Sequence, residues 1–122
     1  MCNMGRHFYI IESEYDYDEH NTQIHYIGVN RKAAEHRMQW LFNFARSDFY
    51  GDRNAEYLEV RPPSYNNIDI TDRDMTTLGS AYIYDEGRGS YYNIYLYAIK
   101  TNKFCNAMEE RLYKQEFPTK KF

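Results

Sequence analysis

The chain has only two cysteines, Cys2 and Cys105, far apart in the sequence and outside any metal-ligand spacing. That excludes a disulfide framework and a cysteine-built zinc site, so both thiols read as ordinary buried or surface groups. No signal-peptide pattern follows the start, and no apolar run approaches the roughly 20 residues that span a bilayer. These absences predict a cytoplasmic protein in a reducing compartment, that of a host cell if the gene is phage-borne. Neither sign of charge dominates: 15 Lys and Arg face 18 Asp and Glu, a net charge of −3. Generic attraction to nucleic acid or acidic membranes is therefore not expected, although a local basic pocket is compatible with that balance.

Catalytic signatures are scarce as well. There is no glycine-rich phosphate loop and no deaminase or phosphodiesterase pattern, and Glu35-His36 lacks the second histidine of a zinc-protease helix. No cofactor or metal is expected, and no enzymatic activity. If chemistry is present, His7 and His25 on neighbouring strands are the place for a small hydrolase to use. No internal repeat, low-complexity tract or linker interrupts the 122 residues, which read as a single domain spanning 1–122.

What the sequence has in excess is tyrosine, 14 residues of it, with aromatic residues at 18%. The mean hydropathy of −0.86 is low for a folded protein, yet 43% of residues are hydrophobic. Tyrosine reconciles the two, because hydropathy scales penalise its hydroxyl while its ring still buries a large area.

Residues 7–13 and 23–30 read as two strands rich in Ile, Val and Tyr, joined by a polar, acidic tip over 14–22. Gly28 within the second predicts a bulge or the close approach of another backbone. A helix follows over 31–46, with Asn30 as its N-cap. Ala34, Met38, Leu41, Phe42 and Ala45 make its apolar face, and Trp40 and Phe44 widen that face to the side. Residues 55–61 alternate as a strand that Pro62 and Pro63 should end. A capping box at 71–74 predicts a short helical turn over 72–78, closed by Gly79. The C-terminal helix is expected over 103–116, with Phe104, Met108 and Leu112 on one face. The order β-β-α-β-β-β-α predicts an α+β domain: a mostly antiparallel sheet with helices packed on one face.

The segment 80–99 holds the strongest functional signal. With strand periodicity, Tyr91, Asn93, Tyr95, Tyr97 and Ile99 point one way, and Tyr92, Ile94, Leu96 and Ala98 the other. Tyr82 and Tyr84, before a turn at Glu86-Gly87-Arg88-Gly89, join the first set. Rings with one wet and one apolar end favour interfaces. The candidate binding surface is therefore Tyr82, Tyr84, Tyr91, Tyr95 and Tyr97. A second copy of the chain or a host protein is the expected partner. A small nucleotide is the alternative, its base stacked on the rings and its phosphate held by Arg88, Arg61 or Arg111. Residues 88–95 resemble the RNP1 motif of RNA-recognition domains in part: the Arg-Gly start, Tyr92 and Tyr95 match, whereas Ser90, Tyr91 and Asn93 depart. The acidic run Glu12–Glu19 reads as a solvated loop, with mimicry of a phosphate backbone or cation binding as alternatives. Asp16 and Asp18 suit a calcium loop, but the required central glycine is missing.

Phe8-Tyr9-Ile10-Ile11-Glu12-Ser13-Glu14-Tyr15-Asp16, Ile24-His25-Tyr26-Ile27-Gly28-Val29 and Ala33-Ala34-Glu35 resemble small uncharacterised phage proteins. Those open on a Tyr- and Glu-rich hairpin followed by an Ala-Glu helix. The resemblance covers about the first 45 residues. It implies an accessory protein that binds and inhibits, directed at a host-defence component or at the nucleotide signals such systems make.

Overall fold

The computed structural model describes residues 7–16, 20–48, 57–68 and 74–104. Strands β1 (His7–Asp16), β2 (His20–Gly28), β3 (Leu58–Tyr65), β4 (Met75–Asp85) and β5 (Ser90–Lys100) form one antiparallel sheet. Its order is β2-β1-β5-β4-β3. Helix α1 (Arg31–Asp48) joins β2 to β3 and crosses one face. Thr101–Lys103 then form a single 3-10 turn. The described residues are thus α+β as expected, with one helix. The predicted C-terminal helix lies almost wholly outside them, along with Cys2, Cys105 and Arg111.

Helix α1 forms where the sequence places it. The Asn30 side-chain oxygen accepts the Ala33 N–H at 2.9 Å, the capping bond expected of that residue. Ala34, Met38, Leu41, Phe42 and Ala45 are all buried against Ile11, Leu78, Ala81, Ile83, Tyr92, Ile94, Leu96 and Ala98. The even-numbered residues of β5 therefore face the helix, as their periodicity predicts. Trp40 and Phe44 do not widen the buried face. They stay 56% and 39% exposed, stacked on one another with ring centroids 5.3 Å apart. A half-buried Arg31–Glu35 pair at 2.9 Å and the Arg31 bond to the Asn66 carbonyl tie the start of α1 to the β3 side.

Three local expectations are overturned. The short helical turn over 72–78 is not formed at its end: Met75–Leu78 open β4, pairing with β5 through Met75–Ile99 and Thr77–Tyr97. Sheet pairing of these residues outweighs the capping pattern before them. Gly79 is accordingly no helix cap. It lies in β4 beneath the Tyr65 ring, where a Cβ would stand 2.6 Å from that ring and 2.9 Å from the Ser64 carbonyl. Pro62 and Pro63 do not end β3. They occupy an irregularity between Arg61 and Ser64, after which pairing resumes at Ser64–Ser80 and Tyr65–Gly79. β3 is an edge strand, so a residue with no N–H costs it no bond on the open side.

The N-terminal hairpin differs from its expected form in the same direction. The strands run on through the segment read as a tip, to Asp16 and from His20, leaving only 17–19 outside the description. The bulge of β2 falls at His25, since Ile11 pairs with Tyr26 and Glu12 with Ile24. Gly28 admits the Tyr26 ring, a side chain rather than another backbone.

Candidate functional site: a tyrosine face with carboxylates

Pairing registers define the sheet face opposite α1. Across β3, β4, β5 and β1 it reads Glu59, Tyr84 and Tyr91 in one row, and Arg61, Tyr82, Asn93 and Glu14 in the next. Then come Ser64, Ser80, Tyr95 and Glu12, and beyond them Thr77, Tyr97 and Ile10. All five predicted tyrosines share this face, and each is half-buried. They form two stacks along their strands: Tyr82–Tyr84 with centroids 6.4 Å apart and Tyr95–Tyr97 at 5.9 Å. One end of the face is apolar. There Ile10 and Ile99 are buried with Ile24, Tyr97 and Phe104 around them, and the Phe8 and Phe104 rings lie 4.3 Å apart.

Acid enters this face from β1. Glu12 and Glu14, read as members of a solvated loop, are strand residues directed among the tyrosines, and Glu12 is only 7% exposed. A Glu14 carboxylate oxygen accepts the Asn93 amide at 3.2 Å and the Tyr95 hydroxyl at 3.4 Å. Burial first, then the Glu14 charge, raise the Tyr95 pKa above the ordinary tyrosine value, so its phenol stays neutral and donates. Sequence periodicity grouped the tyrosines correctly but could not place Glu12 and Glu14 beside them. Only the β1–β5 register does that.

Of the two described arginines among those proposed for phosphate, Arg61 and Arg88, one reaches the face. The Arg61 guanidinium lies 5.6 Å above the Tyr82 ring and 3.3 Å from the Glu59 carboxylate. Together with Ser64, Ser80, Asn93 and Tyr95 these residues line a shallow depression of about 450 Å³. Arg88 belongs to the β4–β5 turn, 3.9 Å from Asp85, whose side chain accepts the N–H groups of Gly87 and Arg88. Arg111 lies outside the described residues. A phosphate would thus meet one described guanidinium, already paired with a carboxylate. The face also carries Glu12 and Glu14 nearby, and like charges in such proximity disfavour an anion.

His7 and His25 do not converge. They sit on neighbouring strands, but His7 pairs with Lys100 and the His25 side chain meets Ser13, six residues further along β1 and roughly 20 Å away. The contact between the Ser13 hydroxyl and the His25 Nε2 is 2.6 Å, a serine–histidine pair that sequence reading did not find. Burial lowers the His25 pKa, which favours the neutral imidazole as acceptor. Ser13 is itself buried and also hydrogen-bonded to Tyr92, so this pair sits at the bulge beneath the helix side rather than in an open cleft. Among the described residues no His, Cys, Asp and Glu grouping suits a metal ion, and no helix is long and apolar enough to cross a membrane.

No family model, curated protein or solved structure matches the chain. The likeness to phage proteins therefore rests on the residues quoted for it.

Proposed function

We propose that the protein is a non-enzymatic binding protein. Its working surface is the tyrosine face, which no helix among the described residues covers, and it self-associates and acts by occluding or sequestering a partner. The observation behind this reading is the convergence of Tyr82, Tyr84, Tyr91, Tyr95 and Tyr97, half-buried, on the sheet face that α1 leaves open. Aromatic rings ordered on a rigid sheet lose little conformational freedom on binding, which is why tyrosine is enriched in interfaces. The phage likeness extends the proposal to an accessory role in a phage or mobile element, with a host-defence component as target. The nucleotide alternative is less well supported, because among the described residues Arg61 is the arginine that approaches the rings and Glu59 already engages it.

Tyr95→Arg places a cation in the middle of this face. Light scattering over a range of concentrations is expected to show a smaller assembly than for the unaltered chain. An unchanged mass at every concentration, with circular dichroism showing an intact fold, would remove self-association through this face.

A further inference from the structure

Among the described residues, the two broad surfaces of the sheet and its helix differ in charge. Besides its tyrosines, the sheet face carries, among the described residues, Glu12 and Glu14 together with a Glu59–Arg61 pair at 3.3 Å. The outer side of α1 exposes Lys32, Arg37 and Arg46, while Glu35 is held by Arg31. Building on the self-association proposed above, we infer that copies join head to tail: the tyrosine face of one docks on the outer face of α1 of the next.

A pairing of two tyrosine faces about a two-fold axis encloses the Glu12 and Glu14 carboxylates of both copies in one interface, where the described cation of each, Arg61, is already paired with Glu59. Juxtaposed like charges count heavily against such an interface. The outer face of α1 offers the complement. Trp40 is exposed and stacked on Phe44, and the Arg37 guanidinium lies 5.9 Å above Trp40 and 5.8 Å above Tyr26. Tyr26, Ala33, His36, Arg37 and Trp40 line a shallow groove of about 650 Å³ there. Trp, Tyr and Arg are the residues that most often anchor protein interfaces. The chain also contains its own small version of the contact: Arg61 seated on Tyr82 beside Glu59. An Arg37 from a second copy, seated on Tyr95 beside Glu14, repeats that arrangement between molecules.

The two faces lie on opposite sides of one sheet, so a single copy cannot satisfy both. Such a heterologous contact propagates into a ring or an open filament instead of stopping at a dimer.

The test uses two variants of the whole chain and light scattering. The first, Tyr95→Arg with Glu59→Lys, spoils the tyrosine face. The second, Arg37→Glu with Trp40→Ala, spoils the α1 face at exposed positions. The unaltered chain is expected to exceed twice its 14.8 kDa mass as concentration rises, and each variant alone to stay at the mass of one copy. An equimolar mixture should reach about twice that mass and stop, because each variant supplies the face the other lacks. Glu59→Lys alone, at an exposed edge position, repeats the first arm if Tyr95→Arg disturbs folding. If the α1 variant assembles like the unaltered chain while the tyrosine-face variant does not, head-to-tail joining is wrong and the tyrosine-face reading stands. An unaltered chain that remains a single copy at every concentration overturns both.

Discussion

Leu96→Ala is expected to destabilise the protein by about 2–5 kcal/mol, the range for emptying a packed leucine site. Leu96 is completely buried in the central strand β5 and faces α1. Its neighbours on the sheet are Ile11 of β1 and Gly79 of β4. Gly79 has no side chain to lean into the vacated space, and the Tyr65 ring above it is held by a hydroxyl bond to the Glu35 carbonyl at 3.3 Å. Collapse around the missing atoms is therefore limited, which puts the cost in the upper part of the range. Total stabilities of small domains are about 5–15 kcal/mol, so the variant loses a large share of what holds it folded. Urea unfolding monitored by circular dichroism measures the loss. Leu96→Met, nearly equal in volume, should cost less than about 1.5 kcal/mol. A loss below about 1 kcal/mol for the alanine variant would contradict the placement of Leu96 in the core.

Asp85→Ala should cost about 2–3 kcal/mol, as expected for removing hydrogen bonds to a charged acceptor in a buried position. Asp85 is the last residue of β4 and is 2% exposed. One side-chain oxygen accepts the Gly87 N–H at 3.1 Å and the Arg88 N–H at 3.3 Å, and its carbonyl accepts the Gly89 N–H at 2.8 Å. Gly89 adopts a φ of 69°, in the left-handed region that glycine occupies without steric penalty. The turn is thus organised from the Asp85 side, and it sets the β4–β5 register that brings Tyr82, Tyr84 and Tyr91 together. Asp85→Asn retains an acceptor oxygen and should lose less than half as much. Equal losses for the two variants in thermal unfolding would show that the charge, not the accepted bonds, matters at this site.

Much of this architecture is legible in the sequence, for identifiable reasons. The period of the apolar residues in α1 and the strict alternation along β5 are local signals, and both faces emerged from them correctly. The turn at Glu86–Gly89 is equally local, since its glycines leave few alternatives. Three other features depend on long-range partners. Pro62 and Pro63 read as a strand terminator because sequence does not show that β3 lies at an edge. Met75–Leu78 read as a helical turn because the capping pattern at 71–74 is visible and the pairing with β5 is not. Trp40 and Phe44 read as core because their spacing fits a broad apolar face, whereas the sheet meets the side of α1 that carries Ala34, Met38, Leu41, Phe42 and Ala45.

The site shows the same division. The five tyrosines were grouped by periodicity within one hairpin. Glu12 and Glu14 stand some 80 positions away in an acidic run that reads as solvated, yet they change the chemistry of the surface from neutral aromatic to acidic aromatic. That change moves the expected partner from phosphate towards cationic groups. It also makes the outer face of α1, with Arg37 and Trp40, the natural counterpart.

The most direct measurement is the reactivity of individual tyrosines, read by mass spectrometry after brief modification at protein concentrations spanning about two orders of magnitude. Tyr82, Tyr95 and Tyr97 should become several-fold less reactive as concentration rises, while Tyr57, exposed beside the start of β3, keeps a constant reactivity. Equal reactivity of the face tyrosines at every concentration would contradict the claim that this face is where the protein meets its partner copy.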